Sequence, residues 1–342
     1  MSLDFLVGFT IFMLALIMVV SMVPGLLAGL ESSGIDYDAV AYRTGVILVE
    51  DPGWPVYPPW EMNDLAHKDE IQRIGLAVSK ETPNILLSTK VERFFDNSFF
   101  DPEDYRSKVI FGDIPYSYNF SLLSEDGTSY NNRTGSPIPP GHGYIRRVVK
   151  IKEPGVAEID GSFASQYTAP SSNQEFIVRL DFGQLLNPSV GAAYRIDPRT
   201  EPVNVTITGF DEYLNETAPA PTNATLRTVT FWKKDPTRPI PQFTKIPFSY
   251  STTDSSLYTL TIDGNPYDLT PDAEVFDDIS LVLKPAATSL FTLDQNSILD
   301  IRFNLGDPPP RPNIFGIHDY DYNMTTVPRP DLKAGVLEVA IW

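Results

Sequence analysis

The chain has 342 residues, 44 Asp and Glu against 26 Lys and Arg, a formal net charge of -18, and no cysteine. Without cysteine there can be no disulfide, thiolate zinc site, iron–sulfur cluster or Cys nucleophile. The acidic balance argues against nucleic acid or anionic lipid as a partner, since both are bound through basic patches.

Between Asp4 and Glu31 the 26 residues FLVGFTIFMLALIMVVSMVPGLLAGL carry no charge, and the first basic residue is Arg43. As a helix this run would be about 39 Å long, against a hydrocarbon core of roughly 30 Å. A secretory signal needs a basic start and a shorter apolar stretch. A plain membrane anchor takes its orientation from basic flanks, and none are present. Ile35, Ala39, Tyr42, Val46 and Val49 extend a helical stripe to about Glu50. The pattern therefore predicts a stalk over residues 1–50, a helix of roughly 45 residues and about 68 Å. Its first half is apolar all round and its second half amphipathic, with a break expected at Pro24 or at Ser32-Ser33-Gly34.

Residues 51–108 read as a Pro-aromatic linker, DPGWPVYPPW, followed by a small helical collar. Asn63 to Ser79 has apolar residues at helical spacing, and Thr89 to Glu92 fits a capping box. From residue 109 to 342 the pattern is β. YIRRVVKIK and VAEIDG flank Glu153-Pro154-Gly155 as a hairpin would. FIVRLDF, VNVTITGF, TLRTVTFW, YTLTIDG, ISLVLK, ILDIRFNL and GVLEVAIW follow as alternating or apolar strands. The expected fold class is α+β: a long N-terminal hydrophobic α-helix followed by a mainly β head, either β-sandwich-like or built from two abutting β domains.

Six Asn-X-Ser/Thr sequons, at Asn119, Asn132, Asn204, Asn215, Asn223 and Asn323, all lie beyond residue 100. They point to N-linked glycans on an extracellular head, with accidental sequons in a Thr-rich chain as the plainer alternative. Only His67, His142 and His318 are present. His318 sits with Asp319 and Asp321, and with Asp277-Asp278 this offers weak calcium candidates without EF-hand spacing; an acidic surface loop is the simpler reading. No nucleophile elbow, P-loop, dinucleotide fingerprint or zinc-protease motif occurs, so no cofactor or catalytic residue is assigned. The aromatic runs FDNSFF, YSYNF and HDYDY would suit either a sugar-binding face or core filling.

MSLDFLVGFTIFMLALIMVV resembles the mature N-terminus of archaeal type IV pilin-like proteins, in which a Leu-Asp-Phe precedes a Gly-containing apolar helix. IGLAVSKETPNILLSTKVERFF (Ile74 to Phe95) and DYRSKVIFGDIPYSYNFSLL (Asp104 to Leu123) resemble, more weakly, the region after the stalk in surface proteins of methanogens. In that family a short basic leader is removed before assembly; none precedes the run here, and the acid stands at position 4. The resemblance implies a non-enzymatic subunit of a cell-surface filament, inserted in the membrane first and then polymerised with copies of itself. Asp4, Phe5, Gly8 and Pro24 would be the assembly residues, Asp4 compensating an N-terminal amine in a low-dielectric core. The head would face other surfaces or cells, and nucleic acid would not be a partner. A monomeric membrane-anchored adhesin or carbohydrate-binding protein is the alternative.

Overall fold

A computed structural model of the chain describes residues 3–31, 36–112, 114–154, 156–160, 175–209, 224–234, 242–248, 257–305, 316–320 and 332–342, with backbone only at 3–4, 22–31, 156–160, 316 and 319–320. Two helices open it, α1 (Leu3–Glu31) and α2 (Tyr37–Glu50). The expected fold class is corrected here, because the long apolar stalk helix is not shown. The N-terminal region is two elements, and the apolar side chains described in α1 run from 5 to 21. Those residues rise about 26 Å, and among the described residues no helix is long and apolar enough to cross a membrane. The rest of the chain is a β-rich body of several sheets.

Helix α2 starts where the Asp36 carboxylate accepts from the Ala39 N–H, a side-chain N-cap. Its buried positions are Ala41, Thr44, Gly45, Leu48 and Val49, a stripe at i, i+3, i+4, i+7 and i+8. Only Val49 belongs to the predicted stripe. The face turns because Gly45 gives the sheet room, so that a Cβ there would stand 3.0 Å from the Ile145 side chain. Tyr42 is turned outward beneath the Arg147 guanidinium, 5.8 Å from its ring centroid. Arg43 donates to the carbonyls of Ile110 and Phe111.

Residues 51–108 contribute many side chains to the first core. Trp60 is fully buried, and its Nε1 donates to the carbonyls of Pro52 and Gly75, so the Pro-aromatic stretch is a packed corner. The helix expected over 63–79 is only a 3₁₀ segment, Leu65–Glu70, followed by extended chain. Strand β1 (Ile85–Leu87) leads into helix α3 (Ser88–Phe94), which has no side-chain cap. The capping box lies instead at helix α4 (Pro102–Tyr105), where Asp101 and Asp104 each accept from the other's backbone N–H.

Strands β2 (Tyr118–Ser124), β3 (Asn131–Gly135) and β4 (Gly143–Lys152) complete most of the first sheet. The chain then enters a second body through β5 (Val156–Asp160), β6 (Glu175–Asp181), β7 (Val203–Thr208), β8 (Ala224–Lys234), β9 (Phe243–Lys245) and β10 (Tyr258–Ile262). It continues through β11 (Asn265–Tyr267), β12 (Ala273–Val275), β13 (Ile279–Leu283), β14 (Ile298–Leu305) and β15 (Gly316–Tyr320) before returning as β16 (Leu332–Ile341). The first sheet has the order β1-β4-β16-β2-β3; the others are β11-β10-β13-β7-β5 and β12-β8-β14-β6-β15, with β9 on β8.

The predicted hairpin across Glu153-Pro154-Gly155 does not form. Strand β4 pairs with β1 and β16, whereas β5 pairs in parallel with β7 in another sheet. Both segments are extended, as their alternation indicates, but the stretch between them passes from one body to the other. In register, Lys152 stands opposite Leu332. The second body is thus inserted between two neighbouring antiparallel strands of the first.

Each body has its own core. Phe94, Tyr105, Phe120, Ile151, Leu337 and Val339 represent the first, which includes buried residues of α2. The second is a two-sheet core of alternating inward residues such as Val178 and Leu180 on β6, Val205 and Ile207 on β7, and Ile301 and Phe303 on β14.

Candidate functional site

The assembly residues proposed from sequence lie on α1. Phe5 is 63 % exposed and stacks on Phe9 one turn later, with ring centroids 6.4 Å apart. Nothing lies within 4 Å of the position a Cβ would take on Gly8. Every described side chain from 5 to 21 is exposed, on all sides of the helix, including Ile11, Leu14, Ile17 and Met18. The side chains of Asp4 and Pro24 lie outside the described residues. A surface of this kind in water is unfavourable by about 25 cal/mol per Å² of apolar area, and none of the described elements covers it. Residues 1–55 match a family of unknown function, DUF7287. The matched stretch covers both helices and stops within the packed Pro-aromatic corner, short of the β body. No curated protein and no solved structure matches the chain.

The sequons separate by geometry. Asn119 is 4 % exposed on β2, and its Nδ2 donates to the Ser136 carbonyl at 2.8 Å, so its side chain is turned into the body. Asn132 and Asn204 are partly exposed on β3 and β7. Asn215, Asn223 and Asn323 lie outside the described residues, as does Asp321, and of Asp319 only the backbone is described. His318 is buried on β15 opposite Val178. The backbone N–H groups of Asp277 and Asp278 donate to Asp263. Among the described residues no three His, Asp or Glu side chains gather as a metal site. His67 is exposed and 2.7 Å from Asp64, which raises its pKa, and His142 meets the Pro139 carbonyl.

Charges that the sequence did not flag hold the two bodies together. Lys152, at the end of β4, is fully buried and reaches Glu201 Oε1 at 2.6 Å and the Arg195 carbonyl at 2.6 Å. Burial pushes the Glu201 carboxyl up, opposed by Lys152. Lys90 donates to the carbonyls of Pro52 and Ala77, and burial lowers its pKa. Glu61 is 2 % exposed, and neither of its oxygens has a hydrogen-bond partner. Burial raises it to about 7 despite the neighbouring Lys90. A helix-like or strand-like pattern carries no sign of such pairs, since their partners are 49 residues apart in the case of Lys152 and Glu201.

A cleft of about 590 Å³ opens in the first body between α4, the loop before it and the β2 and β3 ends. Two of the aromatic runs noted in the sequence meet there, FDNSFF through Asn97 to Phe100 and YSYNF through Ser117 and Tyr118. Gly135 (φ +105°) makes the approach possible: a Cβ there would fall 2.2 Å from the Tyr118 carbonyl oxygen.

Proposed function

We propose that this chain is a non-enzymatic structural subunit of an archaeal type IV pilus-like cell-surface filament. Copies associate through α1, and the β body faces the outside, carrying N-linked glycans on its accessible sequons. The observation that carries this reading is the all-round apolar exposure of residues 5–21. A helix whose described side chains are all exposed is suited to contacts with identical helices, where small residues such as Gly8 and Ala15 let backbones approach. The membrane is the station of the subunit before assembly. The Leu-Asp-Phe start supports the same reading, with Asp4 pairing an amine within the bundle.

The test is mechanical shearing of cells followed by electron microscopy of the sedimented fraction and N-terminal sequencing of its main subunit. Filaments built from this chain are expected. Asp4→Ala should leave the subunit in the membrane fraction and remove the filaments; abundant filaments of that variant would take Asp4 out of the mechanism. A detergent-extracted monomer with no sedimenting fibre would favour the alternative, a membrane-held surface adhesin, for which the aromatic cleft is the relevant feature.

A further inference from the structure

We infer that the cleft beside Tyr118 is a binding site for a neutral saccharide. Tyr118 is the first residue of β2 and only 4 % exposed, it lines the cleft, and among the described residues its hydroxyl has no hydrogen-bond partner. A hydroxyl that opens into a cleft without a protein partner is a donor and acceptor that a ligand can engage. Its ring is fixed between Tyr105 and Phe120, with centroids 5.3 Å and 4.9 Å away, so the hydroxyl is held in place.

The rest of the wall selects the ligand class. Thr134 Oγ1 donates to Asn97 Oδ1 at 2.9 Å, which fixes that amide and leaves Nδ2 as a donor. Ser98, Ser117 and Ser136 add hydroxyls. The charges are already matched. Lys68 Nζ is held by Asp101 and Asp104 at 3.2 Å and 2.8 Å, and Arg106 donates to the Tyr116 carbonyl and to Glu103. The Asp101 and Asp104 carboxylates serve the capping box as well. Each cation of the wall already faces a carboxylate, so an anionic ligand would have to compete with Glu103, Asp101 and Asp104. What remains is a set of neutral donors and acceptors beside apolar surface from Phe99, Phe100 and the exposed Leu65. A pyranose presents that same combination, hydroxyls around its rim and C–H groups on a face, and the volume lies in the range of small-ligand sites.

The saccharide has two possible sources, a glycan on a foreign surface or an N-linked glycan on a neighbouring copy. The inference does not rest on the filament reading: a chain that forms no fibres would still bind, and a filament subunit with an inert cleft would still polymerise. The experiment is saturation-transfer NMR and titration on the detergent-solubilised full chain. The probes are the methyl glycosides of glucose, galactose and mannose, N-acetylglucosamine, and glucuronic acid as the anionic control. At least one neutral sugar should bind, and glucuronic acid should bind more weakly than it. Tyr118→Phe keeps the ring and removes the hydroxyl; it should weaken binding about tenfold, while Ser189→Ala on the second body leaves it unchanged. Should Tyr118→Phe fail to fold, Asn97→Ala on the exposed rim carries the same expectation. Tighter binding after enzymatic deglycosylation would identify the chain's own glycans as the occupant, and unchanged binding an external one. Absence of binding across the neutral panel, undiminished binding by the folded Tyr118→Phe or by Asn97→Ala, or preference for glucuronic acid would overturn the assignment.

Discussion

The two N-terminal helices follow one another in the chain and meet opposite fates. Helix α2 buries Ala41, Thr44, Gly45, Leu48 and Val49 against the first sheet, whereas the described part of α1 buries nothing. The difference is one of partner. In α2 polar residues alternate with apolar ones so that one side can close on β4 and β16. In α1 there is no polar side to leave in water, so no docking against a single sheet would satisfy it. One helix is part of a described core, and the described side chains of the other are not.

The largest expected effect tests that division directly. A Leu14→Glu, Ile17→Lys double variant of α1 should abolish sedimentable assembly while the body keeps its thermal midpoint within about 2 °C, as expected for surface positions. A fall in the midpoint would mean that α1 packs on the body after all. On the other side of the comparison, Lys152→Met leaves Glu201 buried without its partner and should cost about 3–5 kcal/mol in denaturant unfolding. Leu48→Ala on α2 should cost about 3 kcal/mol, whereas Leu14→Ala on α1 should cost the monomer close to nothing.

A pH series sharpens the same contrast at Glu61, buried near Lys90 and Arg93. Its carboxyl is raised by burial from 4.5 to about 7, so the folded state binds the extra proton. Stability should therefore be highest below about pH 4.5 as far as this group is concerned. It should fall as pH rises toward 7 and level off above that. Glu61→Gln should flatten that slope and gain about 2 kcal/mol at pH 8, read by urea unfolding. The smallest effect compares two glycines. Gly45→Ala brings a methyl to 3.0 Å from Ile145 and should lose about 1 kcal/mol. Gly8→Ala, in open space, should gain about 0.5–1 kcal/mol of helix propensity in the monomer. If Gly8→Ala also weakens assembly, a neighbouring backbone comes close at that position.

Local pattern made most strands legible. VNVTIT, YTLTI, ISLVL and ILDIRFNL alternate because each has one face on the second core, and all four are strands in the structure. Pairing was not legible. YIRRVVKIK and VAEID are adjacent in sequence and extended, but alternation says which face is buried and not which strand lies alongside. The buried stripe of α2 is hidden in the sequence for a related reason, since Thr44 and Gly45 are small and bury through close approach. For the cleft, the aromatic runs were visible as composition. Their convergence depends on Gly135 and on Tyr118 lying beside the end of β3, which only the folded chain brings about.

Strand β16 lies between β4 and β2, at the middle of the first sheet. A ribosome delivers β4 first and β16 only after residues 153–331, about 180 residues later. At synthesis rates of about 5–20 residues per second, that interval is on the order of 10–35 s. Throughout it α1 has already emerged and the second body can close on its own core, while the first sheet still lacks its central rung. The exposed apolar helix is thus available well before the first sheet is finished. An apolar surface is therefore on offer for tens of seconds while the sheet that follows it in the chain still waits for its central strand.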